Sequence, residues 1–105
     1  MNILFICSRN QWRSRTAETI FQSNQDHSFR SAGTENNARI KINEKLINWA
    51  DLIFVMEKRH KQMLCEKFDQ IINYKKIIIL DVEDNYQYMD EELIETLRLS
   101  VTPYL

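Results

Sequence analysis

Three short, unbroken apolar runs, NILFIC at 2–7, DLIFVM at 51–56 and KIIIL at 76–80, constrain this chain more than any other feature. Runs of this length without polar alternation are the pattern of strands buried on both faces, which occur in parallel sheets covered by helices. The intervals between them are long enough for the crossovers that parallel strands require, about a dozen residues each. Behind the first run, RTAETIFQSN at 15–24 sets Ala17, Ile20 and Phe21 on one helical face, with Glu18 in the first turns, near the positive end of the dipole. SFRSAG at 28–33 is a weaker strand closed by Gly33. Ile42, Leu46, Trp49 and Ala50 have the spacing of a short helical stripe. KRHKQMLCEKF at 58–68 predicts a helix burying Leu64, Cys65 and Phe68, and Leu93, Ile94, Leu97 and Val101 share a face of a last helix whose N-cap is Asp90. Strand alternating with helix predicts a small doubly wound α/β fold, a parallel sheet with helices on both faces.

At 105 residues the chain has the size of one domain, spanning 1–105 with no internal boundary. Its 44% apolar and 28% charged residues match an ordinary globular composition. The formal charge of −1 argues against a broadly basic nucleic-acid surface, which leaves nucleic acid conceivable only as a substrate. Two cysteines make no disulfide framework, and the opening MNILFIC lacks the basic end and cleavage site of a signal peptide. Together these predict a cytoplasmic protein with reduced thiols. No apolar segment approaches the roughly 20 residues that span a bilayer, so no membrane role is expected. With one glycine and one proline, the connections must turn on Asn, Asp and Ser.

In a doubly wound sheet the ligand crevice lies beyond the carboxyl ends of the strands. Cys7 ends the first run there, and the loop at 81–88 follows the last one, so both reach one edge of the sheet. The loop FICSRNQWRSRTAE at 5–18 crowds Arg9, Arg13 and Arg15 around one thiol, a repulsive arrangement that an anion would relieve. A loop running into a helix N-terminus offers orphan N–H groups and the dipole to that anion. Arg13 adds a planar fork suited to two oxygens of a phosphate-like group. The same field favours Cys7 as a thiolate, a nucleophile aimed at the atom inside the captured anion. Asn10 can adopt the left-handed turn that such a cradle needs.

CSRNQWRSRTAE resembles the phosphate-binding loop of the low-molecular-weight protein tyrosine phosphatases, C-x-G-N-x-C-R-S-P-x-A-E, matching it at Cys7, Asn10, Arg13, Ser14, Ala17 and Glu18. SAGT at 31–34 and ADLIFVM at 50–56 resemble two further segments of that family in the same order. The resemblance implies a four-stranded sheet of order 2-1-3-4 and no metal or other cofactor. It makes Cys7 the nucleophile and Arg13 the phosphoryl-binding residue, with Asn10 holding the loop and Ser14 bonded to the thiolate. Ser8, Arg9, Gln11 and Trp12 complete the expected substrate-binding loop. Arg9 stands where the pattern has glycine, Trp12 where it has a second cysteine, and Arg15 where it has proline. Losing the glycine predicts a loop with less backbone freedom.

The family draws its general acid from a D-P-[YF] segment near the C-terminus. Here EDNYQY at 83–88 supplies Asp84 as first choice, with Asp81 as the alternative nearer the strand end. Tyr86, Tyr88 and Trp12 are candidate walls against a substrate ring. His27 and His60 show no ligand spacing and are read as surface or packing residues, and Cys65 as core. The expected partner is a phosphorylated substrate, phosphotyrosine-like by resemblance. As an alternative, Arg9, Arg13 and Arg15 together would suit a substrate with more than one phosphate, such as a nucleotide or an RNA end. A non-catalytic phosphate-binding module is the competing class, and arsenate reduction would need two further thiols where only Cys65 remains.

Overall fold

The computed structural model describes residues 1–105. Strands β1 (Asn2–Cys7), β2 (Ser28–Gly33), β3 (Leu52–Val55) and β4 (Lys76–Ile79) form one sheet in the order β2-β1-β3-β4, with every neighbouring pair parallel. Alternate residues of β1 divide between the faces. Ile3, Phe5 and Cys7 pack with Ala17 and Phe21 of α1 (Arg13–Phe21) and with Leu93, Leu97 and Val101 of α5 (Glu91–Val101). Leu4 and Ile6 pack with Ile47 of α2 (Glu44–Trp49), Leu64 of α3 (Lys58–Lys67) and Ile72 of α4 (Asp69–Ile72). Both faces are covered, which is why the central strands carry no polar alternation. No helix is long and apolar enough to cross a membrane.

Two helical readings need correction. The Asn43 side chain accepts the Leu46 N–H and starts α2 after Ile42, so Ile42 is buried ahead of the helix and Ile47 is the residue that α2 buries. Cys65 is exposed rather than core. The buried stripe of α3 is narrow, His60 and Leu64 at i and i+4, and the residue after Leu64 is turned about 100° away from it. Asp90 caps α5 as expected, its Oδ1 accepting the N–H groups of Glu92 and Leu93 at 2.9 and 3.3 Å.

The single glycine has a positional reason. Gly33 lies opposite Cys7 in the β1–β2 register, and a Cβ there would stand 2.6 Å from the Ser8 carbonyl oxygen and 2.9 Å from the Arg9 carbonyl carbon. Its missing side chain lets the cysteine loop descend onto the end of β2. The sheet order reverses between β1 and β3, so the loops leaving those strands border the crevice where a doubly wound fold binds its ligand.

Candidate active site

Cys7 closes β1 with its sulfur beneath the loop of residues 8–12, only 3% exposed. The Asn10 N–H donates to the sulfur at 3.2 Å, and Ser14 Oγ stands 2.9 Å from it. The Asn10 side-chain amide donates to that same Oγ at 2.7 Å. The serine therefore accepts from Asn10 and keeps its own hydrogen for the sulfur, the Ala32 carbonyl at 3.4 Å being the more distant acceptor. Asn10 is left-handed at φ 58°, a conformation that asparagine tolerates. Arg9 is not among the residues of positive φ. The backbone at position 9 thus makes no demand for glycine, and the expected restriction of the loop carries no strain at that residue.

The loop is rich in free donors. The backbone N–H groups of Ser8, Arg9, Gln11, Trp12, Arg13 and Ser14 make no hydrogen bond within the protein. Trp12 occupies the N-cap of α1 and supplies no side-chain acceptor. A helix start without a cap, beside a chain of unpaired amides, presents the donors and the positive dipole end that an anion would need.

Arg13 is the largest fully buried side chain, 2% exposed, and its charge is compensated from two other loops. Nη1 donates to Glu57 Oε2 at 2.6 Å and to the Val82 carbonyl at 2.8 Å, while Nε lies 3.6 Å from Asp84 Oδ1. Glu57 follows β3 and Val82 and Asp84 follow β4, so the parallel register delivers all three to Cys7. Burial of Glu57 opposes its ionisation, but the hydrogen bonds and charges of Arg59 and Arg13 prevail and lower its pKa to about 2.

A cavity of about 240 Å³ opens here, lined by Cys7, Ser8, Arg9, Gln11, Trp12, Arg13, Glu35, Arg59 and Asp84. All but Glu35 and Arg59 are residues to which the sequence points. Asn10 and Ser14 lie behind it, buried and bonded to the sulfur side. Tyr86 is a correction: it is not in the lining, its ring packing against the core beside α5 and its hydroxyl donating to Glu92. Arg15 points elsewhere too, over the ring of Tyr88, whose hydroxyl meets Thr19. Asp81, the alternative acid, lies in a neighbouring depression with Lys58 and Glu83. Glu35, Arg59, Glu57 and His60 were not foreseen as site residues. Glu35 pairs with Arg9 at 3.2 Å, and Glu57 and His60 announce themselves only as an E-x-x-H at the end of a strand.

His60 is buried behind the loop as a packing residue with specific partners. Its Nδ1 lies 3.1 Å from the Glu57 N–H, which can only donate, so the ring proton is assigned to Nε2, 2.9 Å from Ser8 Oγ. Burial, reinforced by the Arg13 charge, lowers its pKa to about 4 from 6.5. The unfolded chain therefore binds the extra proton first, and the stability contributed by neutral His60 is complete above pH 6.5 and lost as pH falls through 4. Denaturant unfolding is expected to show a loss of up to about 3 kcal/mol across that window. A His60→Gln variant should lack this part of the slope; an unchanged slope would contradict the assignment.

The comparisons agree with this architecture. No protein-family model matches the chain. The protein-arginine-phosphatase of Bacillus subtilis (strain 168) is 27% identical across an alignment of 139 positions, covering 93% of each chain. Among solved structures, the tyrosine phosphatase Wzb from Escherichia coli K30 in complex with phosphate superposes with a TM-score of 0.79 at 19% identity, over 98% of this chain and 94% of that one. A C7S mutant of the YwlE arginine phosphatase, with a phosphorylated active-site serine, gives 0.75 at 23% identity, over 99% and 96%. The chain thus has the fold of the low-molecular-weight protein tyrosine phosphatases and resembles that family through its cysteine loop.

Proposed function

We propose that this protein is a cysteine-dependent phosphatase acting on phosphorylated side chains of proteins. The observation that carries this reading is the convergence on one cavity of the Cys7 sulfur, the buried Arg13 guanidinium and the Asp84 carboxyl, beside a loop of unpaired amides. In the first step the Cys7 thiolate attacks phosphorus in line, forming the S–P bond as the bond to the leaving group breaks. Asp84 gives its proton to the leaving atom. In the second step Asp84 takes a proton from water, which attacks phosphorus and returns Cys7 as thiolate with release of inorganic phosphate. The loop amides and Arg13 hold the equatorial oxygens through both steps.

The leaving group can be an aryl oxygen, as in phosphotyrosine, or a guanidinium nitrogen, as in phosphoarginine. Two features favour the second. Trp12 is the only aromatic residue in the cavity lining, and Glu35 supplies a carboxylate able to accept guanidinium N–H bonds. The arginine phosphatase named above is a relative over nearly the whole chain. Turnover of phosphoarginine-containing and phosphotyrosine-containing proteins, compared side by side, tests the choice. Preference for phosphotyrosine would reverse it, and preference for nucleotide or RNA-end phosphates would overturn the protein substrate class. Asp84→Asn is expected to lower kcat by about 10²–10⁴-fold, with a smaller loss on an aryl ester whose leaving group needs no proton. Equal losses on that ester and on a phosphorylated protein would remove Asp84 as the acid.

A further inference from the structure

Arg13 has five N–H donors in one plane, and the structure divides them. Both hydrogens of Nη1 are committed to protein acceptors, Glu57 at 2.6 Å and the Val82 carbonyl at 2.8 Å. Nε and Nη2 make no hydrogen bond within the protein, Asp84 standing 3.6 Å from Nε. Glu57 is itself held at the start of α3: its backbone carbonyl accepts the His60 N–H at 3.0 Å, and the His60 ring accepts the Glu57 N–H at 3.1 Å. Its carboxylate also takes Arg59 Nη2 at 3.0 Å.

We propose that Glu57 is a positioning residue for Arg13: with its backbone fixed by reciprocal bonds with His60, its carboxylate anchors one amino group of the guanidinium so that the Nε–Nη2 edge is presented to the phosphoryl oxygens. The inference rests on the phosphatase reading for its kinetic consequence, but not for its consequence on anion binding. One charge-assisted bond at Nη1, together with the Val82 carbonyl, removes rotation about the last bonds of the side chain. The remaining fork is then aligned before an anion arrives. Glu57 touches neither substrate nor sulfur and acts only through Arg13.

Glu57→Asp separates positioning from helix capping. Aspartate is a better N-cap than glutamate, so α3 keeps its start, while the shorter side chain withdraws the carboxylate from Nη1. The variant is expected to fold, with a lowered unfolding midpoint because buried Arg13 loses a charged partner. It should nevertheless lose about 100-fold in kcat on an aryl phosphate, with a several-fold weaker Kd for inorganic phosphate by titration calorimetry. Glu57→Gln, which keeps the length and loses the charge, should fall between the two. Parent-like kcat and phosphate affinity in Glu57→Asp would overturn the proposal. Should the parent protein bind phosphate yet hydrolyse neither an aryl phosphate nor phosphoarginine, the phosphatase reading fails alone, and weakened phosphate binding in Glu57→Asp still upholds the positioning role. A parent protein that binds no phosphate overturns both.

Discussion

Replacing Cys7 with serine is expected to reduce phosphate release from every substrate by at least about 10⁴-fold, the scale seen when a covalent nucleophile is removed. Serine nearly matches the shape of cysteine, and the pocket of Ser14 and the Asn10 N–H can receive its hydroxyl as it receives the thiol. What changes is nucleophilicity, because a serine hydroxyl has no neighbouring base here to activate it. The loop amides and Arg13 are untouched, so inorganic phosphate should still raise the unfolding temperature of the variant. That pairing separates an enzyme from a phosphate-binding module. Loss of turnover with retained phosphate stabilisation is the signature of the first, and phosphate stabilisation without turnover in the parent protein is that of the second.

Arg13→Lys is the second large effect, with an expected fall in kcat of about 10²–10³-fold, comparable to losing an oxyanion donor. Lysine keeps the charge and so keeps Glu57 company, but it has one nitrogen where arginine has three. It cannot bond Glu57 and the Val82 carbonyl while also offering a two-pronged edge to a phosphoryl group. The long hydrophobic stem still fills the site, and the ammonium still pairs with Glu57, so a folded variant is expected. Steady-state kinetics should place the loss mainly in kcat, with a lesser rise in KM. Parent-like turnover would show that a point charge suffices and that the fork is not used.

The sheet was legible because each of its central strands is a contiguous apolar run, and contiguity survives without knowledge of any distant contact. The cysteine loop was legible for the same reason: Cys7, Asn10, Arg13 and Ser14 lie within eight consecutive positions of one strand–loop–helix unit. Asn10 could be assigned its left-handed turn from its chemistry alone, and φ is 58°. The residues that escaped come from other loops. Glu57 and His60 sit fifty residues and more from Cys7, and Glu35 follows β2 rather than β1; only the parallel register brings Glu35 to the cavity and the other two behind its loop. Arg15 misled because sequence proximity to Cys7 says nothing of direction, and the turn of α1 carries it over Tyr88. Tyr86 misled likewise, two residues past Asp84 but folded back against the core. Cys65 shows the limit of periodicity: adjacency to a buried leucine on a narrow stripe still leaves a residue in solvent.

The measurement that bears most directly on this account is acid quenching of the protein during turnover of a phosphorylated substrate, followed by mass spectrometry of the peptide that contains Cys7. The account predicts a phosphoryl group on the Cys7 sulfur, more abundant in Asp84→Asn because its breakdown is slowed and absent from Cys7→Ala. Phosphate release that proceeds at full rate with Cys7 never phosphorylated would contradict it.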